Sequence, residues 1–81
     1  MPKKEKNIRF SQHGQDRMQE RGVPHEHVIQ TIRHPDTVGK ATSPNAKRYE
    51  RRFSRHQKVV VIAEEKESEI RVVSVWKGRL T

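Results

Sequence analysis

The second half of the chain carries hydrophobic residues in patterns that are typical of β-strands. Across residues 47–54, apolar and charged positions alternate, which predicts a strand with Tyr49 and Phe53 on one face. Residues 59–64 are almost continuously apolar, which indicates a central strand covered on both faces. A last long strand is predicted at residues 70–77. Because only short polar turns separate these three strands, we expect them to pair as an antiparallel meander.

The first half of the chain instead predicts a short strand followed by two helices. Residues 7–11 alternate enough for a strand, and Ser11 is a suitable N-cap for the helix that follows. That helix should end at about Arg21, with Gly22 as its stop. Pro24 suits the first position of a second helix, which halts before Pro35.

These elements predict one compact α+β domain at residues 7–81, behind a flexible basic tail at residues 1–6. A short extended piece around Val38 precedes a loop at residues 42–45. The expected architecture is two N-terminal helices packed on a three- to four-stranded antiparallel sheet. Only 30% of the 81 residues are hydrophobic, so the core is thin. We therefore expect a second copy or a bound protein to help cover it.

The positive charge of the chain is concentrated in one segment. The formal net charge is +8, and residues 47–58 carry six cationic side chains against Glu50 alone. Such a segment attracts polyanions and accelerates their association. Nucleic acid, with RNA ahead of DNA, is the expected partner. Two alternatives stay open, namely a solvated basic face that only keeps the protein soluble and an acidic protein partner.

Several classes of protein and of site are not expected from this sequence. The chain has no cysteine, which excludes disulfides and fits a reducing cytoplasm. No apolar run approaches the ~20 residues that span a bilayer, and no apolar segment follows the basic N-terminus as in a signal peptide. The five histidines lack the spacing of a metal site, and no glycine-rich phosphate loop is present. We expect a cytoplasmic protein without metal or cofactor.

The first predicted helix carries a row of basic side chains. His13, Arg17 and Arg21 are spaced four residues apart and therefore share one stripe of the helix. Cations in such a row repel one another unless an anion lies between them, and a phosphate is one candidate. Asp16 and Glu20 are the structural alternative, because both are near enough to neutralise the row. In that alternative, the row binds no phosphate and simply faces solvent or packs against the sheet.

The strand at residues 47–54 is a second candidate surface. Arg48 and Arg52 share one face, while Arg51 lies on the other face with the aromatic residues. Basic side chains beside aromatic rings suit phosphate contact and base stacking. Trp76 is either a stacking platform or a core residue. The candidate nucleic-acid-binding residues are Lys47, Arg48, Arg51, Arg52, Trp76 and Lys77.

Several motifs in this chain resemble the bacterial family called domain of unknown function 4258. The opening motif includes His13, Arg17 and Arg21, and the second helix ends at a proline as in that family. The resemblance covers about residues 8–78. The matching segments are Phe10-Ser11-Gln12-His13, Arg17-Met18, Arg21-Gly22-Val23, Val28, Pro35 and the closing strand Val72-Val73-Ser74-Val75-Trp76.

That family is similar in arrangement to RelE-like and colicin-type ribonuclease toxins, which cleave RNA without metal. The resemblance therefore implies a RelE-like arrangement, with His13, Arg17 and Arg21 as catalytic positions and an acidic antitoxin as partner. In such an enzyme, the imidazole moves a proton and the two guanidinium groups hold the phosphorane charge. The second proton-transfer group stays open among Lys77, Tyr49 and His56.

Three functions follow from these observations. The first is a metal-independent, toxin-like endoribonuclease. The second is a non-catalytic RNA-binding module that uses the same basic residues. The third is a structural or partner-binding protein that forms a homodimer to cover its thin core.

Overall fold

The structure is a computed structural model that describes residues 6–42 and 45–79. These residues contain two helices and five strands. As predicted, one strand precedes the two helices and the other strands follow them. The elements are β1 (Asn7–Phe10), α1 (Gln12–Glu20), α2 (His25–Arg33), β2 (Thr37–Lys40), β3 (Ala46–Arg52), β4 (Gln57–Glu65) and β5 (Glu69–Arg79).

All five strands form one sheet in the order β1-β5-β4-β3-β2. Strands β2 to β5 pair antiparallel in sequence order, which confirms the predicted meander. The prediction of three to four antiparallel strands is only roughly matched, because the sheet has five and β1 pairs with β5 in parallel. Alternation shows that a segment is a strand but not its neighbour or direction, which depend here on where the two helices carry the chain.

Helix α1 begins and ends as its sequence predicts. The Ser11 side chain accepts a hydrogen bond from the Gly14 N–H at 2.9 Å, which satisfies one of the unpaired donors of the first turn. Gly22 follows the helix with a φ of 62°, a left-handed conformation that glycine adopts without a steric penalty. The Val23 N–H then donates to the Met18 carbonyl at 3.0 Å and closes the helix end.

Helix α2 starts after Pro24, which is its N-cap rather than its first helical residue. The helix ends at the predicted place, one residue before His34 and two before Pro35. Val28 and Ile32 are buried and lie one turn apart on its inner face. This face packs against β3 and β4, while α1 packs against β5.

Both described helices therefore lie on one side of the sheet, here called the helix face. Its strand residues Tyr49, Val59 and Val61 join those of α2 in the main core. The opposite side, here called the open face, carries the alternate residues. Glu50 and Trp76 are the register partners of Val60 there, and Val60 itself is fully buried. The face assignment predicted for Tyr49 and Glu50 is thus confirmed.

The predicted tail and loop lie partly outside the described residues, which exclude 1–5 and 43–44. Lys6, the one tail residue described, pairs with Glu65 at 3.1 Å. Within the described part of the chain, neither helix is long and apolar enough to cross a membrane.

Candidate nucleic-acid interface

The centre of the candidate interface is Trp76, a half-buried residue of β5 on the open face. The register places Trp76 beside Val60 of β4, with Glu50 of β3 on the far side of Val60. The Arg48 guanidinium lies 5.8 Å from the centroid of the Trp76 ring, within cation–π range. An aromatic ring and a guanidinium are therefore in contact on the face that neither described helix covers.

A carboxylate lies among the cations of this face. Lys58 Nζ lies 2.9 Å from Glu50 Oε1, and Arg48 Nε lies 3.3 Å from Glu50 Oε2. One negative charge thus offsets two positive ones. Arg52 is the register partner of Lys58 and is exposed on the same face. The open face consequently keeps a positive excess around Glu50.

Helix α1 contributes a further cation at the edge of β5. Strand β1 pairs with only the first part of β5, up to Val72, so the later residues have no β1 partner on that edge. Arg21, just after α1, covers part of this edge by donating from Nη1 to the Val75 carbonyl at 3.2 Å. Lys77 is the register partner of Val59 and so belongs to the helix face, and Arg21, Trp76 and Lys77 line one open pocket at this edge of β5. Cations from two elements therefore lie at the edge beside the indole.

The remaining members of the α1 row lie further along the helix. Arg17 Nε donates to His13 Nε2 at 3.3 Å, and Arg17 Nη1 pairs with Glu20 at 2.9 Å. Asp16 accepts instead from the side-chain amide of Gln12 at 3.0 Å. The row is thus partly neutralised by Glu20, and its one end at Arg21 reaches the pocket beside Trp76.

Lys47 and Arg51, two of the predicted binding residues, point to the helix face. Lys47 forms a short ion pair with Glu65, and this hydrogen bond and charge raise the pKa of Lys47. The same hydrogen bond, with that from Lys6, lowers the pKa of Glu65. Arg51 Nη1 donates to the His34 carbonyl at 2.6 Å. The structure therefore does not bring these two cations together with Trp76.

The three candidates for a second proton-transfer group have different surroundings. Tyr49 is buried in the main core, and this burial raises the pKa of its hydroxyl. His56 is exposed in the connection between β3 and β4. Lys77 alone lines the pocket with Arg21 and Trp76.

Two further cations of the interface are not among the residues predicted from sequence. Arg9 of β1 and Arg71 of β5 are register partners, and both are exposed. Their neighbours Phe10 and Val72 belong to the helix face, so the arginines lie on the open face. Alternation in residues 8–10 and 70–72 was the signal that could have identified them, once β1 was paired with β5.

The described residues contain no group of three or more His, Asp or Glu side chains placed to hold a metal ion. Comparison with known families gives one match. The family model described as Domain of unknown function (DUF4258) matches residues 10–77, most of the chain. No curated protein and no solved structure matches. The resemblance noted from the helix motifs is therefore confirmed for this family.

Proposed function

The chain belongs to the domain of unknown function family DUF4258, and within that family we propose from its own residues that it binds single-stranded RNA on the open face. The observation that carries the proposal is the pocket at the edge of β5 beside that face, which Arg21, Trp76 and Lys77 line together. Arg48 against the indole extends the same surface across the sheet.

This combination of groups matches the chemistry of an unpaired RNA strand. A splayed base offers a π-face that an indole can stack on, and the adjoining phosphates carry charge that arginine and lysine can neutralise. Stacking of this kind requires an aromatic ring that is not sealed in the core. Trp76 meets this condition, because it is only half-buried and lies on the face opposite α1 and α2.

The wider charge distribution supports the same partner. The chain carries a formal charge of +8, and beyond the residues around Trp76 the open face holds Arg9, Arg52 and Arg71, with Glu64 as the register partner of Arg71. A basic surface several residues wide attracts a polyanion before specific contacts form. Binding should therefore weaken steeply as salt concentration rises, because each phosphate contact releases counterions.

The direct test is fluorescence anisotropy with a labelled single-stranded RNA of about 12 nucleotides, a length within the usual range for such surfaces. Loss of a stacked base costs about 1–3 kcal/mol, so Trp76→Ala should weaken binding about 5-fold to 150-fold. Trp76→Phe keeps a ring and should retain most of the affinity. Lys77→Gln should weaken binding of all sequences alike and flatten the salt dependence.

Lys66→Gln is the matched control for the charge loss, because Lys66 is exposed in the turn before β5, at the opposite end of that strand from Lys77. It should leave affinity nearly unchanged. Wild-type affinity in the millimolar range at physiological salt would contradict the proposal. Equal affinity of wild type and Trp76→Ala would exclude the indole as the stacking platform. A DNA oligonucleotide of the same sequence tests the preference for RNA.

RNA cleavage is a second candidate, and the 3.3 Å contact between His13 and Arg17 favours it. This is the proposal in which the domain is a RelE-like or colicin-type ribonuclease, restrained by an acidic antitoxin. The 2′-oxygen of a ribose would attack the adjacent phosphorus while its proton passes to His13. The bond from phosphorus to the 5′-oxygen would break, and water would supply the proton for that leaving oxygen, because Lys77 lies beside Gly22, about two helical turns from His13. The product ends are a 2′,3′-cyclic phosphate and a 5′-hydroxyl.

Incubation of the pure protein with RNA and a chelator tests this chemistry. Chelator-resistant cleavage that is lost in His13→Ala and kept in His34→Ala would support it, since both histidines are exposed. Cleavage that survives His13→Ala would point to a contaminating nuclease. RNA binding without turnover would leave the binding function alone.

A further inference from the structure

The outer strand β2 is exposed along its whole length. All four residues from Thr37 to Lys40 are exposed, and Val38 retains 52% of its surface. Among the described residues, Val38 is the one large hydrophobic residue that is exposed. Gly39 has no other atoms within 4 Å of where a Cβ would lie. The strand therefore has open space above the sheet surface at Gly39 and an uncovered apolar side chain at Val38.

An outer strand of this kind presents backbone N–H and C=O groups that can pair with another strand. Proteins protect such an edge with a proline, a bulge, a covering segment, a charged side chain or a very short strand, and of these β2 has only its four-residue length and Lys40. Thr37–Lys40 contains no proline, and its pairing with β3 is regular over all four positions. The exposure of every residue shows that no described segment covers the edge.

The side chains of β2 define what a partner strand should carry. Val38 and Lys40 lie on the helix face, as the register partners of Tyr49 and Lys47. Lys47 is already paired with Glu65, whereas Lys40 has no carboxylate partner among the described residues. A carboxylate on an added strand beside Lys40 would pair with this lysine, and an apolar side chain two residues away would cover Val38.

We propose that β2 binds an extended acidic segment of a partner protein, which adds to the sheet as a sixth strand. Backbone pairing would supply affinity, and the spacing of one apolar and one acidic residue would supply specificity. Charge complementarity selects this occupant over a second copy of the chain, because each copy carries a charge of +8 and the same Lys40. The site is separate from Trp76, so it does not depend on RNA binding.

A labelled synthetic peptide tests the proposal. This peptide has threonine at every second position, and the positions between carry valine and glutamate alternately. Valine and glutamate therefore share one face of the strand. A second peptide has lysine in place of each glutamate, and a third has proline in place of a central threonine. We expect anisotropy to show binding of the glutamate peptide, at least tenfold weaker binding of the lysine peptide, and no binding of the proline peptide.

Charge reversal in the protein provides the sharper comparison. Lys40→Glu should lose the glutamate peptide and gain the lysine peptide, and the milder Lys40→Gln should weaken binding of the glutamate peptide. Lys66→Glu makes the same charge change at an exposed position in the turn between β4 and β5 and should behave as wild type. Amide shifts of the full chain should change along β2 when the glutamate peptide binds.

Three outcomes would overturn the proposal. These are equal affinity for the glutamate and lysine peptides, absence of binding by any peptide, and amide shifts located away from β2. A wild-type dimer in light scattering that Val38→Lys dissociates would also overturn it, because the edge would then be occupied by a second copy. Circular dichroism of each variant confirms that the fold is retained.

Discussion

Gly14 of α1 lies directly against the carbonyl oxygen of Val72 in β5, and a Cβ at residue 14 would come within 2.3 Å of that oxygen. The same oxygen accepts hydrogen bonds from the backbone N–H and the hydroxyl of Ser11, each at 3.0 Å. The first turn of α1 therefore rests on the backbone of β5. This close contact positions the helix whose far end carries Arg21 to the pocket beside Trp76.

Gly14→Ala should destabilise the fold. The added methyl group meets backbone atoms, which cannot rotate away as a side chain could, so α1 must shift outward. Overpacking of this kind costs about 1–3 kcal/mol, measurable as a lower urea midpoint with an unchanged slope. Gly39→Ala is the matched control, because its Cβ would meet open space, and it should leave the midpoint nearly unchanged. Equal midpoints for the two variants would show that the contact is not tight.

The helices could be predicted closely from sequence because their boundaries depend on local chemistry. The hydroxyl of Ser11 and the left-handed conformation of Gly22 act within one turn of the chain. The parallel pairing of β1 with β5 could not be predicted, because the paired residues, such as Asn7 and Glu69, are distant in sequence. The alternation of apolar and polar residues in the two strands is also the same whether they pair parallel or antiparallel.

Prediction of the candidate site was limited by the same difference between local and distant information. Alternation correctly divided β3, with Arg48 and Arg52 on one face and Arg51 on the other. It did not decide the role of Trp76, because β5 has buried or half-buried apolar residues on both faces and a register shift opposite Ile62. The partnership of Lys47 with Glu65 also required the pairing of β3 with β4.

Glu50→Gln should increase RNA affinity. The Glu50 carboxylate offsets the charges of Arg48 and Lys58 and repels phosphate. The substitution keeps the shape and removes the charge, so we expect binding to strengthen about 3-fold to 10-fold at low salt and less at high salt. Glu67→Gln makes the same change in the turn between β4 and β5 and controls for net charge. Equal gains from both variants would indicate only a general charge effect.

Arg21→Gln should affect both RNA binding and stability. Loss of the hydrogen bond to the Val75 carbonyl should cost about 0.5–1.5 kcal/mol, because that carbonyl belongs to the β5 edge without a β1 partner. Loss of one phosphate contact should reduce the slope of log affinity against log salt by about 0.7. Arg21→Lys should restore the slope. Arg17→Gln, which removes a cation already paired with Glu20, should change the slope less.

The ion pairs of Glu65 with Lys47 and Lys6 should make stability depend on pH in a predictable direction. Their hydrogen bonds lower the pKa of Glu65, so its contribution to the free energy of unfolding is complete above the usual carboxyl value of about 4.3 and is lost as the pH falls through the lowered pKa. The hydrogen bond to Glu65 raises the pKa of Lys47, so that contribution is complete below about 10.4 and is lost as the pH rises through the raised pKa. Because all three side chains are partly exposed, the total should be only about 0.2–1 kcal/mol.

Glu65→Gln should therefore lower the urea midpoint slightly at neutral pH and approach wild type in strong acid, whereas Glu67→Gln should show no such convergence. A constant difference between Glu65→Gln and wild type at every pH would mean that the carboxylate contributes by packing rather than by charge.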